Sequence, residues 1–280
     1  MKKVVDIILI VVAGVLLNAK GIDLEIISLE TLDELETKAS KGDSFASLEL
    51  GKYYEKKGEF SLARHWYEKS FAGEASYRLG MLYYSGGSLH DEDKAFENFL
   101  RAAQKGNLDA EVMLGKHYAQ YGQSWRWPGP DYAEAELHYR HAAQGGHVEA
   151  QYLMGCLFIM SGKGCPDIDL VEAEKWFRKA AVQGHQVAQY YLGLFYLNGN
   201  GGCPVDYAEA LKWFHKAAEK GNADAEYEIG MRYYRGQGVK KDYAEAAKWF
   251  HRAKGGCFDA ASMAKKMESF GYLDVDEKKK

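Results

Sequence analysis

Apolar residues recur along this chain at helical spacing, in stripes that come in pairs. In residues 188–218 an apolar residue returns every three or four positions, first before a glycine-rich segment and again after it. The residues of the two stripes are Ala188, Leu192, Phe195 and Tyr196, then Ala210, Trp213, Phe214, Ala217 and Ala218. Asp206 is a suitable N-cap for the second helix and Gly221 a suitable C-terminal stop. The pattern therefore predicts a helical hairpin.

The same hairpin pattern occurs six times. Each first helix contains an anchor, an apolar residue followed by glycine, at Leu50-Gly51, Leu79-Gly80, Leu114-Gly115, Met154-Gly155, Leu192-Gly193 and Ile229-Gly230. Each second helix contains an aromatic pair or its remnant, at Trp66-Tyr67, Asn98-Phe99, His138-Tyr139, Trp176-Phe177, Trp213-Phe214 and Trp249-Phe250. A glycine inside a helix costs about 1 kcal/mol relative to alanine, so its recurrence predicts a close approach of the paired helix. Repeats of this length predict an array of stacked units, none of which buries its apolar face alone.

The motifs that carry these stripes also resemble a known family. The phrase Asp-Tyr-Ala-Glu-Ala opens the second helix at 131–135, 206–210 and 242–246. With the preceding Ala-x-Tyr-x-Leu-Gly-x-x-Tyr and the following Trp-Phe-x-x-Ala-Ala-x-x-Gly, the pattern resembles the Sel-1-like repeat, a longer-looped relative of the tetratricopeptide repeat, over about residues 44–260. The resemblance implies an all-α fold, a right-handed α-solenoid of helical hairpins, and a role in assembling proteins. It implies no shared catalytic chemistry.

The segments outside the repeats are predicted to differ from them. Lys2-Lys3 precede an apolar stretch at residues 7–17 that is too short to span a bilayer, which predicts a signal peptide at 1–19 and export to the periplasm or medium. An uncleaved anchor is the alternative. We then predict a linker and capping helix at 20–43, with Thr31 opening a capping box, and the six repeats at 44–256. A C-terminal capping helix at 257–271 and a charged tail at 272–280 follow.

Charge and cysteine content narrow the partner classes. The net charge is −4, with acidic and basic residues interleaved, so the chain lacks the basic stripe that nucleic acid binding requires. We therefore predict a protein or peptide partner, no nucleic acid, no membrane insertion after signal cleavage, and a monomer.

Four cysteines, Cys156, Cys165, Cys203 and Cys257, permit disulfides in an exported protein, but three pairings and free thiols all remain open.

A groove is the first candidate site. In tetratricopeptide-like hairpins the first helix lines the concave face, and the resemblance carries this over to the present chain. Positions one and four after each anchor glycine are then free to vary, and they are apolar in the middle repeats. We predict a groove for an extended or helical peptide, lined by Met81, Tyr84, Cys156, Ile159, Met160, Leu194, Leu197, Met231 and Tyr234. The alternative is that these side chains pack between adjacent repeats.

Two other features of the sequence are candidate binding surfaces. An insertion in the third repeat contains Trp125, Arg126 and Trp127 beside two prolines, and Trp and Arg dominate binding hot spots. We predict that this loop binds a partner, with a local structural plug as the alternative. One basic residue per repeat also recurs on an outward face of the second helices, at Arg140, Arg178, His215 and His251. That column is predicted to be solvated, with an acidic or phosphate partner as the alternative.

Catalytic motifs are sparse. Ser262-Met263-Ala264-Lys265 matches the Ser-x-x-Lys signature of β-lactamases and penicillin-binding enzymes, which some exported, cysteine-rich members of the family are said to be. The companion Lys-Thr-Gly and Ser-Asp-Asn motifs are absent. His138 and His141 share a helix turn without a third ligand, so we predict no zinc and no cofactor. The sequence therefore predicts an adaptor, with a periplasmic regulator of a membrane sensor and a β-lactamase as alternatives.

Overall fold

The computed structural model describes residues 29–85, 87–121, 130–160 and 167–272, and every element in these ranges is helical. Contacts divide the chain into two compact units, residues 1–107 and 108–280. The first contains α1 (Leu29–Ser40), α2 (Ser44–Lys56), α3 (Phe60–Lys69), α4 (Gly73–Ser85), a 3-10 turn (Gly87–Leu89) and α5 (Glu92–Ala103). The second contains α6 (Leu108–Tyr121), α7 (Tyr132–Gln144), α8 (Val148–Ile159), α9 (Leu170–Val182), α10 (Gln186–Asn198), α11 (Tyr207–Ala218), α12 (Ala223–Arg235), α13 (Tyr243–Ala253) and α14 (Phe258–Ser269).

Consecutive helices form the hairpins that the pattern predicts. In the first unit α2 packs on α3 and α4 on α5, while α1 covers α2. In the second unit the hairpins are α6–α7, α8–α9, α10–α11 and α12–α13, and α14 packs on α13. Within each unit the second helix of one hairpin also packs on the first helix of the next, which makes the array an α-solenoid. The predicted fold class is confirmed.

Each anchor glycine is a socket for an aromatic ring. A Cβ atom at Gly193 would lie 2.5 Å from Cε1 of Phe214, which is fully buried. The ring belongs to the second helix of the same hairpin, so it lies flat against the backbone of the first helix. The same contact joins Gly51 to Tyr67, Gly80 to Phe99, Gly115 to Tyr139, Gly155 to Phe177 and Gly230 to Phe250. The predicted close approach is confirmed, and the group that approaches is the second ring of each aromatic pair.

Aspartate caps and left-handed glycines define the ends of the second helices. Asp206 Oδ1 accepts a hydrogen bond from the backbone N–H of Glu209 at 2.9 Å, and Asp242 does the same from Glu245 at 3.0 Å. Gly221 follows α11 with a φ of +81°, a value that favours glycine. The recurring Asp-Tyr-Ala-Glu-Ala phrase is therefore a helix start in the structure, as predicted.

The glycine-rich loops interlock neighbouring hairpins. Gly238, in the loop of the α12–α13 hairpin, has a φ of +74°, and a Cβ atom there would lie 2.7 Å from the carbonyl carbon of Tyr207. Gly201, one hairpin earlier, approaches the carbonyl of Leu170 in the same manner. Each loop thus rests on the first turn of the preceding second helix, at a distance only glycine allows.

The first and last described helices pack on the hairpins next to them, and the structure corrects one prediction about them. α1 begins at Leu29, so the prediction that Thr31 caps this helix is wrong; Leu32 and Leu35 do pack against the α2 cluster. In α14 Ala264 is buried and Lys265, at the anchor position, is exposed. α14 therefore lacks the anchor glycine on which an aromatic ring packs in the other first helices. The predicted signal peptide at 1–19 and nearly all of the predicted tail lie outside the described residues.

Two further observations concern the cysteine thiols and the apolar length of the helices. Cys156, Cys203 and Cys257 carry free thiols, whereas Cys165 lies outside the described residues. Among the helices that the structure describes, none has the length and apolar character needed to traverse a bilayer.

Candidate partner-binding surfaces

The predicted groove residues lie on the first helices and keep part of their surface in solvent. Cys156 and Ile159 on α8, and Leu194 and Leu197 on α10, are half-buried, as are Met231 and Tyr234 on α12. Met160 is 38% exposed. In the first unit Met81 is half-buried and Tyr84 is 46% exposed. The structure therefore places the residues of α8, α10 and α12 on neighbouring hairpins of one unit. That they bind a partner stays a prediction.

The apolar groove residues also contact the core beneath them. Leu194 and Leu197 pack against the buried cluster that contains Phe214 and Ile229, and Met231 packs against the cluster that contains Phe250. Each of these side chains therefore packs on one side, as the alternative predicts, and keeps part of its surface in solvent on the other. Trp125, Arg126 and Trp127 lie outside the described residues, so the loop prediction is untested.

One tyrosine on each of three first helices also keeps part of its surface in solvent. A tyrosine stands three residues before the anchor glycine in α8, α10 and α12, at Tyr152, Tyr190 and Tyr227, and all three are half-buried. Burial raises the pKa of each phenol, so each stays a neutral hydrogen-bond donor. The signal was present in the sequence as the Tyr of the Ala-x-Tyr-x-Leu-Gly motif.

Cys156 is not a reactive thiol. Burial raises its pKa to about 11, against a smaller opposing effect of its hydrogen bond with Tyr152. The thiol is therefore protonated at neutral pH and acts as an apolar neighbour of Tyr152.

Two histidines clamp adjacent first helices together. Nδ1 of His185 accepts the backbone N–H of Ala188 at 3.1 Å, so the ring proton is on Nε2, which donates to Glu149 at 3.1 Å. His147 makes the equivalent pair of bonds, to Ala150 at 3.3 Å and to Asp109 at 3.0 Å. Each imidazole is thus the N-cap of its own helix and a donor to the first turn of the preceding first helix.

Glu149 shows the electrostatic consequence of this clamp. The hydrogen bond from His185 and the ammonium of Lys116 outweigh burial and lower the pKa of Glu149 to about 2. The carboxylate is therefore ionised throughout the neutral range, and it links α6, α8 and the start of α10.

We expect His185→Ala to lower the free energy of unfolding by about 1 kcal/mol, because the N-cap acceptor is lost. His185→Asn is the matched control, since Asn222 already caps α12 through its own side chain. Asparagine should therefore cost less than about 0.5 kcal/mol. Urea unfolding followed by circular dichroism measures both. Equal losses would show that the contacts missing from both variants, the hydrogen bond to Glu149 and the stacking on Tyr152 at 4.4 Å, matter more than the cap.

A row of buried polar residues joins first helices to second helices. It occupies the position after the first alanine of each hairpin, at Ser47, Ser76, Glu111, Gln151, Gln189 and Glu226. Gln151 and Gln189 donate to the carbonyls of Ala143 and Ala181, at 3.2 and 3.1 Å. These bonds tie each first helix to the end of the preceding second helix, a role that sequence reasoning missed.

Glu111 explains the His138 and His141 pair. Both imidazoles lie 2.6 Å from its carboxylate oxygens. Burial disfavours the charged carboxylate, but the two hydrogen bonds outweigh it and hold the pKa of Glu111 below its usual range. The histidines therefore serve a buried carboxylate. In the described ranges no group of histidine, cysteine and acidic side chains could hold a metal ion.

The second helices present a different cation column from the predicted one. Arg178 is half-buried and bonds to Glu174 and to the hydroxyl of Tyr196, the latter at 2.8 Å. Arg140 is half-buried against Glu136, and His215 and His251 are also half-buried. These side chains are only partly solvated, because Arg178 reaches Tyr196 in the next hairpin and Arg140 pairs with Glu136 on its own helix. The exposed cations are one residue further on.

The Ser-x-x-Lys match lies at the end of the array. Ser262 and Lys265 are both exposed on α14. A serine nucleophile needs a positioned base in a partly desolvated setting, and a solvent-exposed pair on a terminal helix does not provide one.

The repeats match a known family and resemble known structures. A family model described as Sel1 repeat matches the chain at residues 45–72, 73–107, 108–147, 148–185, 186–222 and 223–254. A solved protective antigen of uropathogenic Escherichia coli strains, displaying an SLR fold, has a TM-score of 0.77 at 26% identity, covering 93% of this chain and 56% of that one. A Sel1 repeat protein from Oxalobacter formigenes has a TM-score of 0.67 at 27% identity, over 75% of this chain and 85% of that one. This chain thus spans little more than half of the first structure's length. No curated protein matches it.

Proposed function

The chain belongs to the Sel1 repeat family, and on that premise we propose that it is an adaptor whose first-helix surface, on α8, α10 and α12, binds an extended or helical segment of a partner protein. Sel1 repeat proteins are generally protein-interaction scaffolds. The proposal adds to this the surface and the kind of ligand.

The observation that carries the proposal is that some apolar residues of a first helix are buried inside the hairpin whereas others stay partly exposed. The anchor glycine and the apolar residue before it pack inside the hairpin, where Leu192 is fully buried and Gly193 contacts the ring of Phe214. Leu194 and Leu197, one and four positions later, retain solvent exposure. An apolar surface that a fold does not consume supports an interaction site.

We expect Leu194→Asp/Leu197→Asp to abolish capture of the partner, because carboxylates in the groove must be desolvated on binding. Val182→Asp is the control, since Val182 is 71% exposed at the end of a second helix. Photo-crosslinking from positions 194 and 182, with mass spectrometry of the products, measures proximity directly. Crosslinks of equal yield from both positions contradict the groove. A drop in the melting temperature of Leu194→Asp/Leu197→Asp as large as that of a core truncation also contradicts the groove.

Export is part of the proposal. It is supported by the order of Lys2-Lys3, the apolar stretch at 7–17 and Ala19, which suits cleavage before Lys20. We expect the intact mass of protein recovered from the exported fraction to correspond to a chain that starts at Lys20. A mass that retains Met1 contradicts cleavage, and recovery from the cytoplasm alone contradicts export.

A further inference from the structure

The second helices of the last three repeats carry an exposed row of cations seated on tryptophan rings. The nitrogen of Lys179 lies 3.8 Å from the ring centroid of Trp176, and that of Lys216 lies 3.9 Å from Trp213. The guanidinium of Arg252 lies 4.4 Å from Trp249. All three cations are exposed. We call Lys179, Lys216 and Arg252 the outer cation row. Its side chains are held in place by the indoles rather than free in solvent.

A second row of lysines, four residues earlier on the same helices, is electrically different. Lys175, Lys212 and Lys248 each pair with a glutamate three residues before, at 3.1, 2.7 and 3.2 Å. By contrast, Lys179 and Lys216 form no ion pair with any residue in the described ranges. Arg252 reaches Glu226 at 2.8 Å. The paired row is therefore neutralised within its own helix, whereas in the outer cation row Lys179 and Lys216 keep their charge available for a partner and Arg252 shares its charge with Glu226.

The helices that carry the outer cation row are joined by buried clusters and ring contacts, and each helix supplies one cation, which we call a rung of the row. Trp176 and Trp213 belong to one buried cluster, and the ring of His215 lies 5.3 Å from that of Trp249. Helices packed in this way lie about 10 Å apart, so three rungs cover about 20 Å. An extended chain in the polyproline II conformation advances about 3.1 Å per residue with three residues per turn, so every third residue of such a chain lies on one face and meets a rung.

We propose that the outer cation row binds an extended acidic segment of a partner protein that presents a carboxylate at every third residue. Charge complementarity and the spacing of the rungs select this ligand. Glu172, Glu209 and Glu245 lie two helical turns earlier than the row, on the same face. A uniformly anionic surface, such as a membrane or a nucleic acid, would have to cover these neutralised ion pairs without gaining attraction from them, whereas a narrow peptide avoids them. The site lies on the second helices and is separate from the first-helix groove.

The test uses a fluorescein-labelled peptide of about ten residues with glutamate at every third position and serine between, followed by fluorescence anisotropy at about 20 mM salt, where screening is weak. We expect saturable binding to the full chain. Lys179→Gln/Lys216→Gln should weaken it about tenfold, because two ion pairs are lost. Lys175→Gln/Lys212→Gln removes the same net charge and should change it less than about threefold.

Three outcomes overturn the proposal. Equal loss in both double variants would show attraction to net charge rather than to the row. Absence of saturable binding would show that the row does not recognise acidic chains. Row-dependent binding to phosphatidylserine vesicles without binding to the peptide would assign the row to a membrane. A peptide of the same composition with its glutamates consecutive should bind more weakly, and equal affinity contradicts the spacing. Thermal melts of both double variants, expected to match wild type, confirm that the fold is retained.

Discussion

Replacing Phe214 with alanine is expected to lower the free energy of unfolding by about 4 kcal/mol. Phe214 is fully buried, and its ring packs on the backbone of α10 at Gly193. Truncation removes the ring from its socket and leaves a cavity between the two helices of one hairpin. Urea unfolding, followed by far-ultraviolet circular dichroism, measures the loss.

Replacing Gly193, the residue on which the ring packs, tests the prediction further. The sign of its effect on the free energy of unfolding should depend on whether the ring is present. Gly193→Ala in the wild type places a methyl group 2.5 Å from a ring atom, and overpacking costs about 1–3 kcal/mol. In the Phe214→Ala background the same change meets no ring and should stabilise the helix by about 1 kcal/mol. Gly255→Ala is the control, since a Cβ atom there meets nothing within 4 Å. Additive effects across the cycle would contradict the socket.

Removing Glu228 is expected to cost about 3 kcal/mol, because it leaves Arg232 buried without its ion pair. Arg232 is only 3% exposed, and its Nη2 lies 3.2 Å from Glu228 Oε2. It stands two residues after the anchor glycine, a position that Leu157 and Phe195 occupy in the preceding first helices. Burial lowers the pKa of the guanidinium and raises that of the Glu228 carboxyl, which shows that both charges are held at a desolvation cost.

The double replacement tests this account. Glu228→Ala alone should be more destabilising than Glu228→Ala/Arg232→Leu, which should recover most of the loss because leucine suits the core position. Both are measured by the same urea titration. If Glu228→Ala costs less than about 1 kcal/mol, Arg232 finds its compensating charge elsewhere and the pair is not what holds it.

The hairpins were predictable because their contacts are local. Gly193 and Phe214 belong to one hairpin, and the periods of helix and repeat put them opposite each other. The glycines and aromatic pairs therefore predicted the elements, their order and the close approach. The groove residues were placed on the first helices for the same reason, although their binding role stays a prediction.

The clamps and the cation row were not predictable in the same way. His185 caps α10 and reaches back to Glu149 in the preceding hairpin, and Gln189 reaches back to Ala181. Each is an ordinary polar residue in the sequence. The buried Arg232 was missed because charge alone predicts an exposed side chain.

The sequence by itself determined the six hairpins and the residues that hold each one together, because these depend on spacing within about 40 residues. Only the tertiary structure decided which polar side chains face a neighbour and which face solvent. Successive helical residues are rotated by about 100°, so Arg178 turns to Tyr196 in the next hairpin while Lys179 turns outward over Trp176. That distinction depends on the exact rotation of one hairpin against the next, which arises only when the repeats pack.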